Sequence, residues 1–228
     1  MSSGGTTRNV LRRIVRHYSP LIRARGRTIR HFAHQVGFVY FGAVDQRHDD
    51  HDVIRGLTVS TTHQDTHFSI GSFNNYDVSL VDRFDVVMND SGRATEHAWL
   101  ILQVALQGPS LPHLFFKPLG HSPAAYNRFF VAYNNLHVVS DLFDEAHSSE
   151  FRGRYEVYGI ASRSQEIEQM FTPDITRTIA ARFWPHAIEI LDGKLYVYTT
   201  EHRPTGAMLG AALEASTWLA ETIDKRQA

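Results

Sequence analysis

The chain has 228 residues, a hydrophobic content of 43%, no cysteine and a formal net charge of -1 at pH 7. This length and apolar content predict a folded body with a sizeable core and exclude a disordered chain. The absence of cysteine excludes a disulfide framework, a thiol nucleophile and a thiolate metal site, and it fits a reducing, cytoplasmic compartment. No run of about 18 apolar residues is present, so no transmembrane segment is expected.

The charge is distributed unevenly along the chain. The first 44 residues contain no acidic residue and eight arginines, which are Arg8, Arg12, Arg13, Arg16, Arg23, Arg25, Arg27 and Arg30. Since the whole chain has a net charge of -1, the remainder is strongly acidic. This division predicts a basic amphipathic helical arm, residues 1–44, that contacts an anionic partner, and a globular body, residues 45–228.

Two helical patterns occur within the arm. Apolar residues in 11–18 recur at helical spacing with arginines elsewhere on the helical wheel, which predicts a short amphipathic helix with a cationic face. We expect Pro20 and Gly26 to interrupt this helix. A second helix then runs to about Val36, with Thr28 as its N-terminal cap.

From residue 53 onward, apolar residues occur in short runs separated by turn residues, a pattern typical of antiparallel strands. Strands are expected at about 54–62, 66–73, 76–87, 97–107, 114–117, 154–161, 186–191 and 194–200. The pairs Asn74-Asn75 and Asp192-Gly193 favour tight hairpin turns.

Three helices are expected in the last third of the chain, at about 165–171, at 173–183 and from Thr205 onward. The segment 121–150 has no clear pattern and marks a potential subdivision of the body. The elements together predict an α+β protein with a mostly antiparallel sheet or small barrel, framed by the basic helical arm and a C-terminal helix.

The last third also contains a recognisable order of short motifs. A strand at 154–158 precedes Thr172-Pro173 at a helix start, and the sequence LDGKLYV follows at 191–197. This order resembles the C-terminal part of an uncharacterised bacterial family, a membrane-anchored domain of unknown function. The resemblance implies a strand, a Thr-Pro helix and a hairpin strand, and it implies no catalytic residue because the family has no assigned activity.

A dense set of potential metal ligands lies between residues 48 and 67. Its members are His48, Asp50, His51, His63, Asp65 and His67. Imidazole and carboxylate groups suit zinc, manganese or iron, and on an extended strand the last three would share one side. A metal-dependent hydrolase uses such a set to activate water. The other interpretation is a solvated polar loop followed by an exposed turn, since the spacing matches no established ligand signature.

Two further histidines, His97 and His113, lie in apolar strand contexts, where burial shifts a histidine pKa and favours acid-base chemistry. The alternative interpretation is a hydrogen-bonded core histidine. No Gly-rich phosphate loop ending in Lys-Ser or Lys-Thr and no G-x-S-x-G motif occurs in the sequence, which disfavours P-loop nucleotide hydrolysis and serine hydrolysis.

The basic arm has three interpretations. It lies on an anionic membrane surface, it neutralises nucleic-acid phosphates, or it packs on the body or on another subunit. Few aromatic residues are interleaved with its arginines, so nucleic acid is the least favoured.

We hypothesise a non-catalytic binding or scaffold protein without a cofactor, cytoplasmic and peripheral to the membrane. Its arm contacts an anionic membrane surface or a protein partner, and a homo-oligomer remains open. The alternative is a metal-dependent hydrolase that holds a divalent metal at residues 48–67.

Overall fold

The computed structural model describes residues 20–43, 56, 63–88, 94–109, 111–120, 135–199 and 203–227. Within them, nine strands form one antiparallel sheet. The strands are β1 (Val39–Ala43), β2 (Gln64–Phe73), β3 (Tyr76–Met88), β4 (Ala94–Ala105), β5 (Leu114–Pro118), β6 (His137–Val138), β7 (Tyr155–Gly159), β8 (Ala187–Leu191) and β9 (Lys194–Thr199). The α-helices are α1 (Pro20–Gln35), α2 (Ser149–Arg154), α3 (Ser164–Met170), α4 (Pro173–Phe183) and α5 (Gly206–Gln227).

The strand order is β1-β2-β3-β4-β9-β8-β5-β7-β6. The first four strands form a meander, and the C-terminal strands join it where β4 pairs with β9. Because β1 and β6 are the two edges among the described strands, the sheet that these strands form is open and is not a barrel. The α+β prediction with a mostly antiparallel sheet, an N-terminal helix and a C-terminal helix is confirmed.

Two hairpin turns follow from the local sequence. Asn74 and Asn75 both have positive φ, at 50° and 66°, and so do Asp192 and Gly193, at 51° and 71°. Positive φ at both central residues is the requirement of a type I′ turn, which matches the twist of the flanking strands and favours Asn, Asp and Gly. The two-residue turns fix the registers of β2 with β3 and of β8 with β9.

Side-chain alternation gives the sheet two different faces. On one face, here called the helix face, residues such as Val78, Leu80 and Leu100 join the main core together with buried residues of all five helices. On the other, here called the far face, Val81 and Trp99 belong to a smaller buried cluster. Alternate residues of β3 and β4 thus contribute to different cores, as a period of two requires.

The structure corrects the prediction for the first helix. We expected Gly26 to interrupt the helical pattern and Thr28 to cap a second helix, but α1 is continuous from Pro20 to Gln35. The expected interruption at Pro20 concerns the helix at 11–18, which lies outside the described residues, and stays a prediction. Pro20 is tolerated because it occupies the first position of the described helix. Gly26 lies against the His67 ring, since a Cβ atom there would come within 2.5 Å of the His67 Cε1 atom. Gly26 therefore permits close approach of helix and sheet.

Several predictions fall outside the described residues. These are the helix at 11–18 and, apart from the buried Gly56, the strand at 54–62. The division into an arm and a body at residue 44 stays a prediction, although Ile29, Phe32 and Ala33 of α1 pack in the main core. Among the described helices, none is both long and apolar enough to cross a membrane.

Asp224, near the end of α5, connects this helix to the sheet and to the loop after β4. Its carboxylate accepts hydrogen bonds from the Tyr76 hydroxyl at 2.9 Å, the Gly108 amide at 2.9 Å and the Gln107 amide at 3.1 Å. We expect Asp224→Ala to lower the free energy of unfolding by about 2 kcal/mol, because three donors lose their acceptor. Urea denaturation checks this value. Glu221→Ala, which removes an exposed carboxylate one turn earlier, is the control, and an equal loss in both variants would contradict the assignment.

Candidate functional site

The exposed side of α1 carries a line of basic residues, here called the basic stripe: Arg23, Arg27, Arg30 and His34. Their spacing of four, three and four residues places them on one side of the helix. All four are exposed. The buried side of α1, which includes Ile29, packs in the main core, so the core fixes the direction in which the stripe points.

Arg25 lies off the stripe and faces the sheet. Its guanidinium donates two hydrogen bonds to the Asp82 carboxylate of β3, at 2.9 and 2.8 Å. Both side chains are mostly buried. Of the four predicted anion-binding arginines in the described residues, Arg25 is therefore already neutralised by the body, whereas the other three are exposed.

The basic stripe runs beside the edge strand β1. The Arg30 guanidinium carbon lies 5.7 Å from the centre of the Tyr40 ring, a cation-π distance. The Arg30 Nε atom is 3.5 Å from the His34 Nε2 atom, and the rings of His34 and Tyr40 are 6.3 Å apart. These contacts place the C-terminal half of the stripe against β1.

Tyr40 is itself held by a bulge in β2. Its hydroxyl lies 2.5 Å from the Nδ1 atom of His67, which has a φ of 55°. The register of β2 with β3 shifts between Thr66 and Ser69, so His67 occupies a bulge that re-aims its side chain. Burial raises the pKa of Tyr40 above its ordinary value. The bulge therefore fixes β1 and the basic stripe relative to each other.

The far face of the same edge carries exposed apolar side chains. Val39 is 59% exposed, Phe41 50% and Ile70 38%; we call these three residues the apolar ridge. Val39 pairs directly with Ile70 across β1 and β2, which brings their side chains onto one face. Phe41 contacts Phe68 at a ring distance of 5.8 Å, so the ridge continues into the far-face core.

The structure thus assembles a basic stripe and an apolar ridge at one edge of the sheet. Tyr40 lies between Val39 and Phe41 in sequence and contacts the stripe, while its two neighbours point to the opposite face of the strand. The remaining predicted anion-binding residues, Arg8, Arg12, Arg13 and Arg16, lie outside the described residues. The arrangement can bind a surface that offers both anionic and apolar groups.

The predicted metal ligands do not converge in the described part of the chain. Asp65 and His67 were expected on one side of a strand, and this prediction is wrong because the bulge turns His67 toward α1, on the helix face. Asp65 instead binds Arg83. Arg83 is two residues from Val81 in β3 and therefore lies on the same face as Val81, the far face. His63 remains near Asp65, with its Nε2 atom 4.0 Å from the carboxylate.

Among the described residues, no group of three or more His, Cys, Asp and Glu is arranged to hold a metal ion. His48, Asp50 and His51 lie outside these residues, so the six-residue metal site and its hydrolase activity stay predictions.

A buried polar cluster on the far face connects β8, β9 and the residue before β5. The Glu189 carboxylate accepts a hydrogen bond from the Tyr198 hydroxyl, and its Oε1 atom lies 2.6 Å from His113 Nε2. Burial, reinforced by the Glu189 carboxylate, raises the pKa of Tyr198 well above its usual value. Gly56 closes over this cluster, because a Cβ atom there would lie 2.9 Å from Glu189 Oε2.

These contacts match the core-histidine interpretation of His113. His97 stacks on Trp99 with ring centres 5.5 Å apart.

A cavity of about 470 Å³ lies elsewhere, near β7, and Phe143, Phe151 and Tyr155 contribute to its lining. None of the residues of the buried polar cluster lines this cavity.

The apolar ridge was missed from the sequence because β1 was not predicted. The signal was present in the sequence FVYFGA, which follows the helical pattern directly. An alternation in which Phe38 and Tyr40 face one side predicts that Val39 and Phe41 face the other.

No protein-family model matches the chain, and a comparison with curated proteins finds no match. A comparison with solved structures finds similarity to the crystal structure of the mycobacterial trehalose monomycolate transport factor A, TtfA. The TM-score is 0.61 and the sequence identity 11%, over 88% of this chain and 95% of that chain. At this identity the similarity shows a common fold, so the chain shares an α+β architecture with a transport factor.

Proposed function

We propose that this protein is a non-catalytic binding or scaffold protein, peripheral to the cytoplasmic face of a membrane, whose basic stripe contacts anionic lipid headgroups. The observation that carries the proposal is the exposure of three arginines on one side of a helix whose other side is fixed in the core. Arginine suits this role because its planar guanidinium binds phosphate oxygens in a bidentate manner.

The surroundings of the stripe support an anionic surface as its partner. Asp82 of β3, whose carboxylate contacts α1, is already paired with Arg25. The first 44 residues add no acidic residue, so the positive charge at this end is not cancelled within the arm. The protein also shares its fold with a trehalose monomycolate transport factor.

Vesicle binding tests the proposal. We expect the protein to co-sediment with phosphatidylglycerol-containing vesicles and to remain in the supernatant with pure phosphatidylcholine. The double variant Arg27→Gln and Arg30→Gln should raise the apparent Kd for the anionic vesicles about thirtyfold, because each arginine near such a surface contributes about 1 kcal/mol.

The matched control is the double variant Arg152→Gln and Arg182→Gln. It removes the same charge from exposed positions of α2 and α4, and Arg182 lies over the Trp218 ring at 5.5 Å much as Arg30 lies over Tyr40. This control should bind as the unmodified protein does. Equal loss in the two double variants would show that net charge alone matters, and the stripe would then have no specific role.

A further inference from the structure

We propose that the apolar ridge of Val39, Phe41 and Ile70 inserts into the lipid interface while the basic stripe binds the headgroups. The inference rests on the proposed function and adds to it a mode of attachment, which is penetration by the edge of a sheet. An arginine stripe alone would give only electrostatic adsorption at the membrane surface.

Strand β1 connects the apolar ridge to the basic stripe. Val39 and Phe41 flank Tyr40, and Tyr40 contacts Arg30 and His34 of the stripe. Neighbouring residues of a strand are about 3.3 Å apart along the chain, so the apolar side chains of β1 lie close to the point where Arg30 and His34 contact Tyr40. An interface with phosphate groups above acyl chains offers the same two chemistries over the same short distance.

Among the described residues around β1, exposed apolar side chains occur on the far face and not on the helix face. Val39 and Phe41 are both at least half exposed, whereas Phe38, which directly precedes β1, is buried against Gly71. Aromatic and aliphatic side chains that protrude beside cationic groups are typical of surfaces that enter the headgroup region.

Charge complementarity favours a bilayer over a second copy of this chain. A symmetric contact through β1 would bring two ridges together and would also bring two basic stripes close to each other. Like charges in an interface are unfavourable. An anionic bilayer covers the ridge and neutralises the stripe at the same time.

The absence of cysteine from the chain permits a site-specific test in the full-length protein. Val39→Cys, labelled with the environment-sensitive fluorophore NBD, reports on the ridge. Val138→Cys with the same label is the matched control, because Val138 is 54% exposed on β6, the opposite edge strand of the sheet.

On addition of phosphatidylglycerol-containing vesicles, we expect the Val39 label to become at least about twofold brighter and to shift to shorter wavelength, while the Val138 label stays unchanged. An unlabelled variant with Val39→Ser and Phe41→Ser should bind the same vesicles about tenfold more weakly, because two exposed apolar side chains no longer leave water. Both substitutions are at exposed positions, and circular dichroism verifies that the variant is folded.

The outcomes separate the inference from the function on which it rests. If the protein co-sediments but neither label responds, the stripe adsorbs without insertion and the inference is wrong, while the proposed function stands. Equal responses of both labels would also overturn it, since the fluorophore would then drive insertion. If the protein does not bind anionic vesicles at all, the proposed function fails as well.

Discussion

Arg83→Met is expected to lower the free energy of unfolding by about 3–5 kcal/mol. Arg83 donates two hydrogen bonds to the Asp65 carboxylate, at 2.8 and 2.7 Å, and the exposed fractions of the two side chains are 0% and 2%. Removal of the guanidinium leaves a carboxylate in a buried site without its main counter-charge. The cost is large because a charge in such a site is poorly solvated.

The neighbouring ion pair supplies the control. Arg25 and Asp82 have the same two-bond geometry, but their side chains are 9% and 13% exposed, so water can compensate part of the loss. We expect Arg25→Met to cost about 1–2 kcal/mol. The double variant Arg83→Met and Asp65→Leu should recover most of the stability lost by Arg83→Met. Urea denaturation measures all three variants, and a similar loss for the two single variants would refute the role of burial.

Phe116→Ala is expected to cost about 3–5 kcal/mol. Phe116 is fully buried on β5, and its ring lies 5.1 Å from the Phe171 ring and 6.2 Å from the Phe151 ring, measured between centroids. Truncation removes these aromatic contacts and leaves a cavity between the sheet and its helices, since the packed neighbours can relax only in part.

Phe41→Ala is the comparison for Phe116→Ala, because it removes the same side chain from a half-exposed position. We expect it to change the midpoint of thermal unfolding only slightly, with a cost below about 1 kcal/mol. If the two variants melted at the same temperature, the packing around Phe116 would be looser than the ring distances indicate.

The fold class and most elements of the body followed from periodicity and turn residues. The predicted strand at 76–87 corresponds to β3, and the predicted helix at 173–183 corresponds to α4. These predictions were accurate because the local signals and the tertiary packing agree there. The Asn-Asn and Asp-Gly hairpin turns also determine the registers of the strands that they connect, and these turns can be recognised from the local sequence.

The first helix shows where local signals are insufficient. Gly26 looks like a helix breaker in isolation, but its role depends on His67, which lies 41 positions later in the sequence. A close approach between two distant segments leaves no periodic pattern in either one. The five-residue strand β1 was missed for a similar reason, because it begins only four residues after α1 ends.

The candidate site was predictable only in part. Charge position alone indicated the arginines, but it could not separate Arg25, which binds Asp82, from Arg27 and Arg30, which are exposed. That difference depends on which side of α1 enters the core. The metal hypothesis assumed that residues 62–68 are regularly extended, and the bulge at His67 breaks the alternation on which it relied.

The pairing of β4 with β9 determines when the sheet can be completed. Ala105 pairs with Lys194 and Leu100 with Thr199, so roughly ninety residues must be synthesised after β4 before its partner exists. At a translation rate of about 5–20 residues per second, this interval lasts several seconds or longer. Until then the N-terminal meander has β4 as an unpaired edge, and closure of this non-local pairing is a slow step of the kind that high contact order imposes. The central strand of the finished sheet, β9, is thus the last of the nine described strands to be synthesised.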